Sequence, residues 1–324
     1  MKKKAIVSMD WIQNSTNYQE RLEQNQGFDF QYKSEEDFTE QDFNETEVFI
    51  GNCKHDQLKK FKQLKWVQLQ SAGTDGYTTP GVLPEGTLLT NATGTYGLTI
   101  AEYLIGTTLL MQRKLNLYID NQRQNLWQKE GEIQSIYGST FLIIGLGDIG
   151  TEFAKRVKAL GGHTIGIKRT IYGDEEYVDE LYTNGELDEQ IPRADVIVSS
   201  VPNTPETLKM YHADRFTSMK PNAIFINVGR GNAVDMDALC DALENKQLYG
   251  AVLDVTDPEP LPKEHRAWQT PNLIITPHIS GNYNLSETRN RFINLVTSNM
   301  ERYLAGESLQ SEVDFQTGYR KKKL

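Results

Sequence analysis

The sequence predicts an α/β protein in which a doubly wound parallel sheet is inserted into a second, discontinuous α/β unit. Three observations carry this expectation. Short apolar runs bounded by turn formers alternate with helical stretches along most of the 324 residues. A glycine-rich turn follows directly on one of those runs near the middle of the chain. A helical stretch after residue 284 then leads back towards the first unit. At roughly 150 residues per domain, the length also suits two domains. Hydrophobic residues make up 38% and charged residues 24%, which excludes a disordered or collagen-like chain.

The elements follow in order. Apolar runs at 5–7, 48–50, 66–69 and 88–90 read as strands, and the polar stretch 55–63 is compatible with a helix. From 97 to about 127 there is no proline, and Ile100, Tyr103, Leu104, Thr107, Leu110, Met111 and Leu115 keep a helical period. One long helix is expected there. Six strands then follow at 140–144, 163–167, 195–201, 223–228, 250–253 and 273–275, with helices between them. A last helix, 285 to about 304, carries Phe292, Leu295, Val296, Met300 and Tyr303. The expected domains are therefore 1–98 with 285–324, and 99–284. The chain would pass twice between them, giving a two-lobed molecule with a cleft.

Charge and cysteine content narrow the partners. Lys and Arg number 34 against 44 Asp and Glu, a net charge of −10, which argues against nucleic acid or an anionic membrane as partner. Cys53 and Cys240 cannot build a disulfide framework, and no Cys/His cluster has metal-ligand spacing, so a reducing compartment, the cytoplasm, is expected, and no metal. The basic start has an apolar run that stops at Asp10, too short for a signal sequence, and no run spans a bilayer. The tail 320–323 reads as a solvated charge run.

The sharpest local signal is Gly145-Leu146-Gly147-Asp148-Ile149-Gly150, a G-x-G-x-x-G between a strand and a helix. Gly145 would permit the tight turn, Gly147 would let the backbone approach a pyrophosphate, and Gly150 would let helix pack on strand. Free N–H groups of the helix N-terminus would face the phosphates. An acid at the end of the second strand would read a ribose 2′-hydroxyl, but Lys168, Arg169 and Thr170 stand there instead. Two cations and a hydroxyl suit a 2′-phosphate, so NADP(H) is preferred and NAD(H) is possible. Asp174, Glu175 and Glu176 oppose this, four or more residues beyond the strand end.

Ligands of open α/β sheets bind at the carboxyl ends of strands, and three such ends carry chemistry. Arg230 lies between Gly229 and Gly231 on what reads as a flexible turn, where its guanidinium can grip a carboxylate bidentately. Glu259 stands between Pro258 and Pro260, which restrict its backbone. His278 follows Thr276-Pro277, and an imidazole titrates near neutral pH as a general acid or base must. Each alone is more often a solvated or structural residue. Together, beside a nucleotide-binding pattern, they form a candidate catalytic set.

With these residues in view, the sequence resembles the D-isomer-specific 2-hydroxyacid dehydrogenases. The likeness rests on NVGRG at 227–231, LDV followed by DPEPLP across 253–262, TPHISG at 276–281, GLGDIG at 145–150, ADVIVSSVPNTPET at 194–207 and SAGTD at 71–75. It implies a Rossmann domain inserted in a flavodoxin-like substrate domain, and a homodimer formed through the Rossmann domains. It implies that Arg230 binds the substrate carboxylate and carbonyl, that Glu259 partners the imidazole and that His278 exchanges the proton. Asp254 would contact the nicotinamide carboxamide. Val201, Pro202, Thr207, Val228, Gly229, Ser280 and Gly281 would complete the cofactor site. The backbone at Ala72, Gly73 and Thr74 would hold the substrate carboxylate, with Tyr96 beside it.

The reaction implied is reversible reduction of a 2-oxo acid. Arg230 would hold the substrate and protonated His278 would supply the proton as hydride reaches C2. Glu259 would favour the charged imidazole and fix its orientation. The stretch from Asn91 through Gly94, Tyr96 and Thr99 to Glu102 resembles the subgroup acting on glyoxylate, hydroxypyruvate and other small 2-oxo acids. A phosphoglycerate dehydrogenase ranks below it, since the chain ends soon after its last helix, without room for a serine-sensing domain. Formate dehydrogenases carry Gln where Glu259 stands. Short-chain dehydrogenases need Tyr-x-x-x-Lys on a helix, and the spacing occurs only at Tyr319 and Lys323 in the tail. A nucleotide-sensing binding protein on the same scaffold is the alternative of another class, and turnover would exclude it.

Overall fold

The computed structural model describes residues 2–171, 173, 175–318 and 321. Asp174, Tyr319, Arg320, Lys322 and Lys323, which enter the sequence reading above, lie outside them. The chain packs as two compact units, Met1–Tyr96 with Tyr283–Leu324, and Gly97–Asn282.

The first unit is built on a parallel sheet of β1 (Lys3–Ser8), β2 (Phe28–Tyr32), β3 (Val48–Gly51), β4 (Trp66–Gln68) and β5 (Leu88–Thr90), ordered β2-β1-β3-β4-β5. Ala5 stands opposite both Phe30 and Val48. The central strands are continuous apolar runs because both faces are covered: Ala5, Ile6, Val7, Val48, Phe49 and Ile50 are fully buried. β2 does not figure in the sequence reading. As an edge strand it is only half covered, and Phe28-Asp-Phe-Gln-Tyr32 alternates instead of forming an apolar run. The helix Ser286–Ala305 buries Phe292, Ile293, Val296 and Met300 within this unit and ends at Gly306 with φ 70°.

The second unit holds a parallel sheet of β6 (Thr140–Ile144), β7 (His163–Lys168), β8 (Glu180–Thr183), β9 (Val196–Ser199), β10 (Ile224–Asn227), β11 (Gly250–Leu253) and β12 (Leu273–Ile275). Their order is β12-β11-β10-β9-β6-β7-β8, so the chain leaves β6 in one direction and returns on its other side at β9. That topological switch point is where a doubly wound sheet opens a crevice. The sheet has seven strands, not six. β8 escapes the sequence because Glu-Leu-Tyr-Thr is a short, half-exposed edge.

The expectation of one helix from 97 to 127 is corrected. Two helices form, Gly97–Gln112 and Leu115–Arg123, separated by Lys114 in the left-handed region at φ 55°. No glycine or proline marks the break. It is held by tertiary ties, since the Lys114 ammonium donates to the Glu130 carbonyl at 2.5 Å and lies 5.8 Å from the Tyr249 ring centroid. Among the described residues, no helix is long and apolar enough to cross a membrane.

Candidate active site

The glycine-rich turn sits at the switch point, at the end of β6. Gly145 has φ 94°, and its carbonyl accepts from the Ser200 hydroxyl at 2.8 Å. A Cβ on Gly150 would lie 2.1 Å from that same carbonyl oxygen, so the helix Asp148–Ala159 can approach β6 only over a glycine. Gly147 differs from both. Nothing lies within 4 Å of where its Cβ would be, so protein packing does not require glycine there, whereas close approach of a ligand would. The twelve-residue helix begins at this open turn without a side-chain cap, leaving its N-terminal N–H groups to an anion. These features fit a dinucleotide pyrophosphate.

Asp148 sits in the motif, but its carboxylate accepts the Gly97 N–H at 2.8 Å, which takes its charge out of the turn. Leu146 is 5% exposed and packs where Gly166 of β7 leaves room, since a Cβ on Gly166 would lie 2.4 Å from it. Ile149 enters the same helix. The loop after β9 is closed by Thr207, whose hydroxyl donates to the Pro202 carbonyl at 2.7 Å and accepts the Thr204 N–H at 2.9 Å. Val201 and Val228 are buried, and the Val228 N–H bonds the Ser199 carbonyl.

Lys168 closes β7, with Arg169 and Thr170 directly after it. The distance in sequence between the cations and the loop acids proves misleading. Glu175 turns back and its carboxylate forms an ion pair with the Lys168 ammonium. Glu206 is held below the usual carboxylate range by its own backbone N–H, by Thr204 and, through space, by Arg169. Each cation therefore has an acid in its field.

The reading of Arg230 on a flexible turn is also corrected. A Cβ on Gly229 would lie 2.4 Å from the Val201 carbonyl oxygen, and one on Gly231 would lie 1.9 Å from that of Thr256. Neither glycine has a positive φ, so both are required by close packing and not by conformational freedom. The Asn227 side chain locks the turn further, accepting from Gly229 N–H at 3.1 Å and donating to the Arg230 carbonyl at 2.9 Å. The guanidinium is thus mounted on a rigid rim.

Glu259 and His278 meet. His278 Nδ1 lies 3.1 Å from Glu259 Oε2, while Glu259 Oε1 accepts the Thr256 N–H at 3.0 Å. The Asp257–Pro258 and Glu259–Pro260 peptides are both cis. Asp254, only 1% exposed, accepts from Thr276 Oγ1 at 2.6 Å, Ile279 N at 2.9 Å and Ser280 N at 3.0 Å. Its carboxylate thereby organises the loop of His278 through Gly281. Sequence reasoning missed Thr276 as a functional group, and missed Tyr103, whose hydroxyl lies 2.7 Å from Thr276 Oγ1.

Ala72, Gly73, Thr74 and Tyr96 belong to the first unit. Their loop is tied down through its carbonyls. Gln70 accepts from the Tyr96 and Tyr283 hydroxyls, Ser71 from Ala92 N, Ala72 from the Asn91 side chain, Gly73 from the Ser71 hydroxyl and Thr74 from Tyr77 N. That uses the loop's acceptors and suits a segment offering N–H donors. Tyr96 is 9% exposed and burial pushes its phenol up to about 12, so it braces the loop as a protonated donor. Tyr283 and Trp11, also missed, stack at 5.0 Å beside it.

A doubly wound parallel sheet with a ligand-shaped glycine turn at its switch point defines a nucleotide-binding protein of the Rossmann class. The family profile described as "D-isomer specific 2-hydroxyacid dehydrogenase, NAD binding domain" matches residues 105–280. The chain is 31% identical to a glycerate dehydrogenase of Methylorubrum extorquens over 262 residues, 78% of this chain and 80% of that one. Among solved structures, a D-isomer specific 2-hydroxyacid dehydrogenase family protein from Aeromonas salmonicida superposes with TM-score 0.85 at 31% identity, covering 97% of this chain and 100% of that one. An NADPH-dependent glyoxylate/hydroxypyruvate reductase from Sinorhizobium meliloti, in complex with NADP and sulfate, superposes with TM-score 0.82 at 27% identity, over 98% and 100%. The chain belongs to the D-isomer specific 2-hydroxyacid dehydrogenase family, NAD(P)-dependent oxidoreductases acting on CH–OH donors.

Proposed function

We propose that the enzyme reduces a small 2-oxo acid of the glyoxylate or hydroxypyruvate kind to the D-2-hydroxy acid, with NADPH preferred over NADH. The observation that carries this reading is the set of side chains on three adjacent strand ends: Arg230 after β10, Glu259 after β11 and His278 after β12, the last two 3.1 Å apart. A guanidinium, a carboxylate and an imidazole in that order are what a 2-oxo carboxylate requires.

When bound, the reduced nicotinamide supplies hydride to C2 of the substrate. Arg230 grips the carboxylate and the carbonyl oxygen and stabilises the negative charge that develops there. With Nδ1 engaged by Glu259, His278 delivers its proton to that oxygen from Nε2. In the oxidative direction neutral His278 takes the proton back. The backbone amides at Ala72, Gly73 and Thr74, in a loop of the first unit braced by Tyr96, are donors suited to a carboxylate. The turn 145–150 holds the pyrophosphate, Lys168, Arg169 and Thr170 hold the 2′-phosphate, and Val201, Pro202, Thr207, Val228, Gly229, Asp254, Ser280 and Gly281 line the cofactor.

A homodimer fits the second unit, where Leu115, Ile119, Leu126, Ile133, Tyr137 and Trp127 are 44% to 105% exposed along one stretch of chain. Cys53 and Cys240 are buried and unpaired, which suits the cytoplasm. The testing experiment is steady-state turnover of a panel of 2-oxo acids with NADH and with NADPH. Highest kcat/KM for glyoxylate or hydroxypyruvate with NADPH supports the reading. Turnover confined to a bulky or phosphorylated acid overturns the substrate class, and no turnover with any acid overturns the catalytic assignment.

A further inference from the structure

We propose that Thr276 and Tyr103 are positioning residues which, through Asp254, hold His278 in the left-handed backbone conformation that presents its imidazole to Glu259. The inference rests on the reading of His278 as proton donor and adds two residues to it.

His278 has φ 53°. A non-glycine residue in that region is strained and persists only where its surroundings over-determine it. Here the surroundings are Asp254. The His278 N–H donates to the Asp254 carbonyl at 2.8 Å, and the Asp254 carboxylate collects Ile279 N, Ser280 N and Thr276 Oγ1. Thr276, two positions before the strained residue, and the two residues after it are thus fastened to one buried side chain.

The direction of the remaining bond follows from proton counting. A threonine hydroxyl has one proton, and the 2.6 Å bond that it donates to the Asp254 side chain uses it. The 2.7 Å contact between Thr276 Oγ1 and the Tyr103 hydroxyl must then be donated by tyrosine. Burial pushes the Tyr103 phenol up to about 12, so that proton stays in place. Tyr103 projects from the helix Gly97–Gln112, a different element from β11 and β12, so the chain Tyr103 to Thr276 to Asp254 braces the histidine loop against the body of its own unit. Neither hydroxyl has a part in hydride or proton transfer, and neither Thr276 nor Tyr103 is assigned to the cofactor.

The test uses the full chain with glyoxylate and NADPH. Thr276→Val keeps the shape and removes the hydroxyl. A displacement near 1 Å at a reacting group costs on the order of 100-fold, so kcat should fall roughly 10- to 100-fold, while KM and the NADPH dissociation constant, measured by fluorescence, stay within about threefold. Thr276→Ser should restore kcat, and Tyr103→Phe should lower it at unchanged NADPH affinity. The proposal is overturned if Thr276→Val keeps wild-type kcat, if serine fails to rescue it, or if NADPH affinity falls as far as kcat. Should the valine variant not fold, Tyr103→Phe with wild-type kcat overturns it. His278→Ala separates the two ideas: if that variant keeps its turnover the histidine reading itself fails, and if it is inactive while Thr276→Val is normal only the positioning proposal does.

Discussion

His278 Nδ1 and Glu259 Oε2 stand 3.1 Å apart, and Glu259 is itself held from behind by the Thr256 N–H. A carboxylate anchored at one oxygen and offered to an imidazole at the other orients the ring and leaves Nε2 as the nitrogen for the proton exchange proposed above. His278→Ala is therefore expected to lower kcat by roughly 10² to 10⁴-fold, the range for loss of a general acid, with NADPH binding intact. Fluorescence titration alongside steady-state kinetics checks both halves.

Arg230 stands on a turn that packing makes rigid, between glycines pressed on Val201 and Thr256. Lysine keeps the charge but has no planar fork, so Arg230→Lys should lower kcat/KM for a 2-oxo acid at least about tenfold. A surface arginine without a ligand would tolerate the change, and near-normal kinetics would show that.

The ion pair of Lys168 with Glu175 places an internal carboxylate where a 2′-phosphate would compete for the same ammonium. Removing that competitor with Glu175→Gln should raise the kcat/KM ratio of NADPH to NADH. Lys168→Asp with Arg169→Ala should invert it. A charge-assisted hydrogen bond is worth about 1.5–3 kcal/mol, so each change should move the ratio by tenfold or more unless solvent screens it. A ratio unmoved by either substitution would remove these residues from cofactor choice.

Gly147 and Gly150 should respond oppositely to alanine. Gly147→Ala meets open space and should fold with unchanged thermal stability but bind dinucleotide more weakly. Gly150→Ala drives its methyl into the Gly145 carbonyl at 2.1 Å and should unfold at lower temperature. Calorimetry with and without NADPH distinguishes the two. Equal loss of stability in both would contradict a ligand-shaped turn.

Acid stability has its own marker in the first unit. Burial alone would push the Asp42 carboxyl up, but Lys33, the Thr39 N–H and hydroxyl, and Lys4 outweigh it and hold the group well below its ordinary 3.8. The folded state then binds fewer protons than the unfolded chain, so this stabilisation is present above about pH 4 and is lost as pH falls further. Asp42→Asn should lower the melting temperature at pH 7, by an amount equivalent to about 1.5–3 kcal/mol, and by clearly less at pH 2, because the effect fades only as pH falls towards the depressed folded-state pKa. Melting curves at the two pH values test the sign.

Strands with two buried faces are legible in the residues, because a parallel sheet covered on both sides must be written as continuous apolar runs such as Phe141–Ile144 and Ile224–Ile226. The sequence also marked the glycine turn and the three strand-end side chains, since those residue types at those places are dictated by local backbone geometry and by chemistry. The half-covered edges β2 and β8 left no such trace. Tertiary structure alone decided the rest: that Lys114 breaks a helix through ties to Glu130 and Tyr249, that Glu175 folds back on Lys168, and that Tyr103, 173 residues from Thr276 in sequence, reaches its hydroxyl. Hydrogen bonds and ion pairs between distant residues carry no periodicity, so no pattern along the chain records them. They exist only once the sheet has brought its strand ends together.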